Sequence, residues 1–329
     1  TVCHVPDYTN GITYVNAYFD LHGLTQEEIS YVYLLSDLLG DMDTKKHTYG
    51  ELASLIDLYT GGIDYAVSAF SDCEDNTSYM PVFKVTAKSL SQNLPKLIRL
   101  LREITTDTQF TNKERLIELV EETKAGWDMD AFRRGHTLVM HRVLSYVSPV
   151  EGFCDAGEFS YYEFISRIAA RIRTETDDTV TKLQHVMKKV FTRAAMTLEI
   201  TGNTEDYQHV VRLLSDWTQE LPQGEKRTDL CSLGGQRKNE GIMTSGKVQY
   251  VAKGGNFRRH GFAYTGSMMV LDTILQYGYL WTKIRVQGGA YGAFTRFYGN
   301  GDMVFCSYRD PNLESSVKAY DELADYLEQ

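Results

Sequence analysis

The chain has 329 residues, 24% of them charged and 43% hydrophobic, enough for about two packed domains. Its net charge of -10 excludes a general nucleic-acid binder, whose surface must neutralise phosphates. No run of about 18 apolar residues is present to span a membrane, and Thr1-Val-Cys-His-Val-Pro6 has neither the cationic nor the apolar part of a signal peptide.

The first predicted element is a strand from Gly11 to Asp20, where β-formers alternate with polar residues. Thr25-Gln-Glu-Glu28 and Thr48-Tyr-Gly-Glu51 are capping boxes that open helices, the first with Ile29, Val32, Leu35 and Leu39 on one stripe. Gly61-Gly62 turns the chain into a strand reaching Phe70, and Met80 to Lys88 reads as another. Helices are then predicted from Leu94-Pro95, from a third box at Thr111-Asn-Lys-Glu114, and from near Met129, Ser160 and Asp178. A strand from Ala195 to Thr201 and a helix from Glu205 to Glu220 follow.

Leu221 to Gly246 is rich in Gly and charge and poor in apolar residues, and reads as a linker. After it the opening pattern returns: a strand (Lys247 to Ala252), a helix (Ala263 to Gln276), a short helix, a Gly-Gly turn, two strands and a helix opened by Asp310-Pro311. Gly61-Gly62 through Phe70 parallels Gly288-Gly289 through Phe297, as expected of two related α+β domains, the second truncated. The expected boundaries are 1–222, 223–245 and 246–329. The absence of a starting Met and the lack of a terminating Gly after Pro311 make the chain read as part of something longer.

Within that repeat, Leu58 stands where Arg285 does, and Asp64 where Tyr291 does. The Gly-Gly turn therefore serves the architecture in both copies, while Arg285 and Tyr291 are additions. A guanidinium is a fixed fork of donors and a phenol a single directed one, chemistry suited to a peptide carbonyl or a developing oxyanion. The residues alone leave open a plainer role: an Arg capping a helix C-terminus and a Tyr filling a half-buried strand.

Other motifs carry less. Gly241 to Lys247 fits the start of a phosphate-binding loop, but Val248 replaces the Ser or Thr that holds magnesium, and a strand pattern follows where a helix is needed. His136 and His141 lie five apart with no Glu between them, and the other histidines are isolated. No metal site is expected within the chain. Cys154 near His141 does not by itself make a nucleophile–base pair, and no Gly-x-Ser-x-Gly elbow occurs. The five cysteines (Cys3, Cys73, Cys154, Cys231 and Cys306) are scattered and odd in number, as in a reducing compartment.

Arg285-Val-Gln-Gly-Gly-Ala-Tyr-Gly-Ala-Phe294 and Ser307-Tyr-Arg-Asp-Pro-Asn-Leu313, with Thr9 to Val15, Tyr18 to Asp20 and Tyr59 to Ile63, resemble the pitrilysin/insulinase-type inverted-zinc metallopeptidases. The likeness is to the presequence-protease branch, which includes falcilysin. The resemblance implies the non-zinc, C-terminal half of a peptidase that degrades unstructured peptides in a closed chamber. Arg285, Gly288, Gly289 and Tyr291 would then bind substrate, Tyr291 assisting at the oxyanion, with part of the peptide held as an added strand. The family's His-x-x-Glu-His does not occur here, so zinc would lie in an N-terminal half of the same polypeptide and this chain alone would be inactive. The implied partners are that half and peptide substrates, basic ones matching the acidic charge, with no nucleic acid and no membrane. The implied location is a bacterial cytoplasm or, alternatively, an organelle matrix. The alternative function is a non-catalytic scaffold or partner subunit on the same fold.

Overall fold

The computed structural model describes residues 1–71, 77–233, 238–244 and 246–328. Cys73 and Ser245, which enter the cysteine pattern and the loop before Lys247, lie outside them. The chain is mixed α+β and divides into two compact units. One comprises Thr1–Ser68, Met80–Lys124 and Phe164–Cys231; the other comprises Ala69–Tyr79, Ala125–Glu163 and Ser232–Gln329. Residues 125–163 thus group with the later part of the chain, whereas the sequence-based boundaries set them with residues 1–222.

In the first unit five strands order as β1-β5-β2-β4-β3: β1 (Val2–Pro6), β2 (Ile12–Asp20), β3 (Ile63–Ser71), β4 (Tyr79–Leu90) and β5 (Met196–Gly202). β2 pairs antiparallel with β4 and β5, with Phe19 opposite Phe83 and Met196. Along β2, Thr13, Val15, Ala17 and Phe19 are buried, and Tyr14, Asn16, Tyr18 and Asp20 point the other way, the period-2 pattern of a sheet with one covered face. Phe191 closes edge-on against both Phe19 and Phe83, at 4.9 and 5.3 Å between centroids. β1 was not expected; it adds to the edge by parallel pairing with β5, nearly 200 residues later.

The helices of this unit start where their caps place them. Thr25 and Thr48 form complete capping boxes for α1 (Gln26–Leu38) and α2 (Tyr49–Tyr59). α3 (Leu94–Asp107) begins with Pro95 and buries Leu94, Leu97, Ile98, Leu101 and Ile104. The third box is corrected. α4 (Lys113–Arg133) is capped by Asn112, whose Oδ1 accepts from the Arg115 N–H at 3.2 Å, because asparagine one residue on satisfies the same orphan donors. α4 also runs through Met129, so the expected start there does not exist. α5 (Gly135–Ser145) and α6 (Pro149–Asp155), which belong to the second unit, follow it, and α7 (Phe159–Arg171) and α8 (Thr176–Val190) begin near Ser160 and Asp178 as expected. α9 (Thr204–Glu220) packs on α3, and its buried Trp217 donates to Thr105 Oγ1 at 2.9 Å. No described residue between 221 and 246 lies in a helix or strand.

In the second unit β6 (Gln249–Asn256), β7 (Gly292–Phe297) and β8 (Asp302–Asp310) order as β6-β8-β7, all antiparallel. The same order holds for β2-β4-β3, in the same chain sequence of strand, helices, Gly-Gly turn, hairpin and helix. The expected internal repeat is thus present as topology. α10 (Ser267–Thr273) continues unbroken as a π-helical stretch, Ile274–Gln287, rather than stopping after Gln276. Gly278 does not break it; a Cβ there would lie 2.6 Å from the Tyr326 hydroxyl, so the glycine seats that ring. Leu275, Leu280 and Ile284 of the π-helical stretch join Val251, Ala293 and Tyr320 in the core. The expected last helix is two, α11 (Leu313–Asp321) and α12 (Leu323–Leu327). On the sheet's other face α5 packs on β6 and β8. Leu144 and Val143 come so close to Gly254 that a Cβ there would stand 3.0 and 3.1 Å from them.

Candidate functional site

The segment after the long helix is built around two glycines that do different work. A Cβ on Gly288 would lie 2.7 Å from the Ile284 carbonyl oxygen, so the helix end itself demands glycine there. Gly289 has φ +80°, in the left-handed region, with only Pro311 Cγ, 3.8 Å away, near a would-be Cβ. Gly62 in the first copy also has positive φ, +108°. The Ala290 N–H then donates back to the Ile284 carbonyl at 3.1 Å, closing the turn.

The turn is held by the other run singled out in the sequence. Asn312 Nδ2 donates to the Gly288 carbonyl at 2.5 Å. The Tyr291 N–H donates to the Tyr308 carbonyl at 3.0 Å, with the Arg309 carbonyl at 3.4 Å. Asp310 is fully buried; its Oδ1 accepts from the Asn312 N–H at 2.8 Å and its Oδ2 from Ser316 Oγ at 2.6 Å. Arg309, near the end of β8, adopts φ +48°, in the left-handed region.

Arg285 is half-buried, and its guanidinium lies over the Trp281 ring, 5.8 Å from the centroid. Tyr291 is 68% exposed just before β7, its ring edge-on to Tyr308 at 5.9 Å. Among the described residues neither the guanidinium nor the phenolic hydroxyl has a hydrogen-bond or ion-pair partner. The helix-end carbonyl of Gly288 is taken by Asn312, not by Arg285.

Tyr308, beside Tyr291, joins residues to which the sequence assigned no role at this site. Tyr308 sits edge-on to His136 at 4.9 Å and to Tyr250 at 5.4 Å, and the Arg309 guanidinium lies 5.5 Å above the Tyr308 ring. Burial, then the nearby Arg134, lowers the His136 imidazole below its ordinary value, so it is neutral at pH 7. The Ser307-Tyr-Arg309 run was the available signal for Tyr308 and Arg309; nothing local marked His136, which reaches the cluster from α5. In the first unit the open face of the sheet carries Tyr18, whose hydroxyl donates to Glu199 at 3.0 Å. Burial and that carboxylate push the phenol up to about 12.

Cys154 does come together with His141, along with Glu151. The thiol is pushed well up by burial and by Glu151, Glu158, Asp155 and Asp302, so it is no activated nucleophile. His141 Nδ1 instead pairs with Glu151 Oε2 at 2.6 Å. Lys247 precedes strand β6, where a phosphate-binding loop requires a helix. Among the described residues no helix is long and apolar enough to cross a membrane.

Comparison with known proteins gives matches along most of the chain. Residues 1–168 match the family described as associated with the peptidases of M16 subfamily C, and residues 239–329 match the PreP C-terminal domain. Protein HypA of Clostridium perfringens is 34% identical over 99% of this chain and 34% of its own length. Presequence protease 1 (chloroplastic/mitochondrial) of Arabidopsis thaliana is 27% identical over 97% of this chain and 30% of its own. The chain thus spans about a third of the length of these curated relatives. Among solved structures, the peptidase M16 inactive domain from Pseudomonas fluorescens has the same fold, with TM-score 0.66 and 14% identity, covering 100% of this chain and 77% of that one. A conserved protein from Enterococcus faecalis aligns with TM-score 0.65 and 13% identity, over 99% and 76%.

Proposed function

Because the chain belongs to the family associated with the M16 subfamily C peptidases, we propose that it is the C-terminal, substrate-binding half of a zinc metalloendopeptidase that degrades unstructured peptides inside a closed chamber. Residues 1–222, apart from the 125–163 segment that groups with the later unit, form the third α+β domain of that enzyme, and residues 246–329 the first part of the fourth. The N-terminal half of the same polypeptide is its partner and carries the His-x-x-Glu-His site, where bound zinc supplies the activated water. The enzyme works in a bacterial cytoplasm or an organelle matrix.

What this chain contributes is grip and orientation. The observation that carries the reading is the pair of donors, Arg285 and Tyr291, that have no hydrogen-bond partner among the described residues and stand on either side of a turn that Asn312 holds in place. The Arg285 fork takes a substrate carbonyl. The Tyr291 hydroxyl donates to the scissile carbonyl and more strongly to the oxyanion that develops from it. β7 is an edge of its three-stranded sheet, where an extended peptide adds as a strand. Gly288 and Gly289, without side chains, leave the approach clear. Backbone pairing of this kind tolerates varied sequences, as a peptide-clearing enzyme requires.

The test is Tyr291→Phe in the polypeptide that includes the N-terminal half. Loss of an oxyanion donor lowers kcat by about 10²-fold or more with little change in KM; unchanged kcat overturns the role. A second reading, a non-catalytic partner subunit, is favoured by the fold shared with the Pseudomonas fluorescens inactive domain. The two are separated by whether the sequence preceding Thr1 in the gene encodes His-x-x-Glu-His.

A further inference from the structure

We propose that His141, Glu151 and Cys154 form a binding site for a zinc-class divalent cation, separate from the peptide-binding lip and from any zinc held elsewhere in the polypeptide. The three come from two helices of one unit. Glu151 and Cys154 lie three apart on α6 and therefore share a face, and His141 projects from α5, which packs against it. Their ligand atoms all lie within 4.8 Å of one another. Around a tetrahedral zinc, bonds of about 2.0–2.3 Å set donor atoms about 3.3–3.7 Å apart. Side-chain rotations of about 1 Å close the difference, with no movement of the helices.

The donor chemistry selects the ion. Imidazole nitrogen, carboxylate oxygen and sulfur together suit zinc and its neighbours in the transition series, whereas calcium and magnesium take oxygen. Three protein ligands leave a fourth position for water. Among the neighbouring acids, Asp155 Oδ2 accepts from Arg142 at 3.0 Å while its Oδ1 has no hydrogen-bond partner among the described residues, and Asp302 accepts from Asn256 at 2.8 Å. Glu158 pairs with Arg134 at 2.6 Å. Glu151 has only His141 as its hydrogen-bond partner among the described residues, and it is the carboxylate free to turn to a metal. All three residues are partly exposed.

A His141–Glu151 ion pair beside an apolar filler explains two of these residues. It does not explain a sulfur set against that pair and amid further carboxylates, where an alanine or valine would spare the polar neighbourhood. A bound cation uses all three at once. It would fasten α6 to α5, and through α5 to strands β6 and β8.

The experiment uses the whole 329-residue chain, stripped with a chelator. One sample is equilibrated with Zn²⁺ alone, desalted and assayed for metal by mass spectrometry. A parallel sample takes Co²⁺, whose thiolate charge-transfer absorption in the near ultraviolet reports a cysteine ligand. Expected are about one retained zinc per chain and a thiolate–cobalt band. Cys154→Ser abolishes the band, and Glu151→Gln weakens zinc binding at least about tenfold. Cys231→Ser, a thiol of the other unit, leaves both signals intact. Circular dichroism checks that each variant is folded; should one unfold, the unmodified chain still decides. A cobalt complex without the thiolate band, or zinc retention that survives Cys154→Ser and Glu151→Gln together, overturns the proposal.

Discussion

Asn312 donates its side-chain amide to the carbonyl oxygen of Gly288 at 2.5 Å, tying the start of α11 to the end of the long helix 24 residues earlier. The two runs that carry the family likeness are therefore one piece of structure. Asn312→Ala leaves the Gly288 carbonyl without its partner and is expected to cost about 1 kcal/mol of stability, read by urea denaturation. In the full polypeptide it is also expected to raise KM, because the spacing of Arg285 and Tyr291 is no longer held. Unchanged stability and KM would show that the turn holds itself.

The two glycines of the turn separate by mechanism. Gly289→Ala meets only an ordinary contact with Pro311 and suffers the left-handed backbone conformation, about 1–2 kcal/mol. Gly288→Ala drives a Cβ to within 2.7 Å of the Ile284 carbonyl oxygen, so the helix end must shift. It is expected to be the more damaging of the pair in thermal denaturation, and the reverse order would refute this assignment.

Tyr291→Phe removes a hydroxyl that has no partner among the described residues. The thermal midpoint of the 329-residue chain is expected to move by no more than about 0.5 kcal/mol equivalent. Thr105→Val, which strips Trp217 Nε1 of its acceptor inside the core, is expected to cost about 1–3 kcal/mol. A large loss from Tyr291→Phe would reassign that phenol to structure.

Glu28 offers a pH test. Burial alone would raise its carboxyl, but Lys189 at 2.5 Å, the Thr25 N–H and His185 at 2.9 Å outweigh that and hold it down at about 2. A carboxyl depressed in the folded state contributes stability above its unfolded value of 4.5, and loses it as pH falls toward 2. Glu28→Gln keeps the capping box but not the charge. The stability gap between the two proteins is expected to be about 1 kcal/mol at pH 7 and to shrink through that window. A gap that stays constant with pH would show that the charge contributes nothing.

The features legible in the amino acids alone were local. Thr25 with Glu28, and Thr48 with Glu51, start helices because cap and acid are three residues apart on one chain. Gly62 and Gly289 turn it because only glycine enters positive φ freely. The repeat was legible because these signals recur at corresponding positions. Through-space relations left no such trace. β1 exists because β5, nearly 200 residues away, offers an edge. Asn112, not Thr111, caps α4, because the two compete for one set of donors and only the folded turn chooses. His136 meets Tyr308, and His141 meets Glu151 and Cys154, because the packing of α5 on its sheet and on α6 sets their distances. Spacing along a chain reports contacts made within one helix or turn; contacts between elements are decided by which apolar faces bury each other, and that is settled only when the whole unit packs.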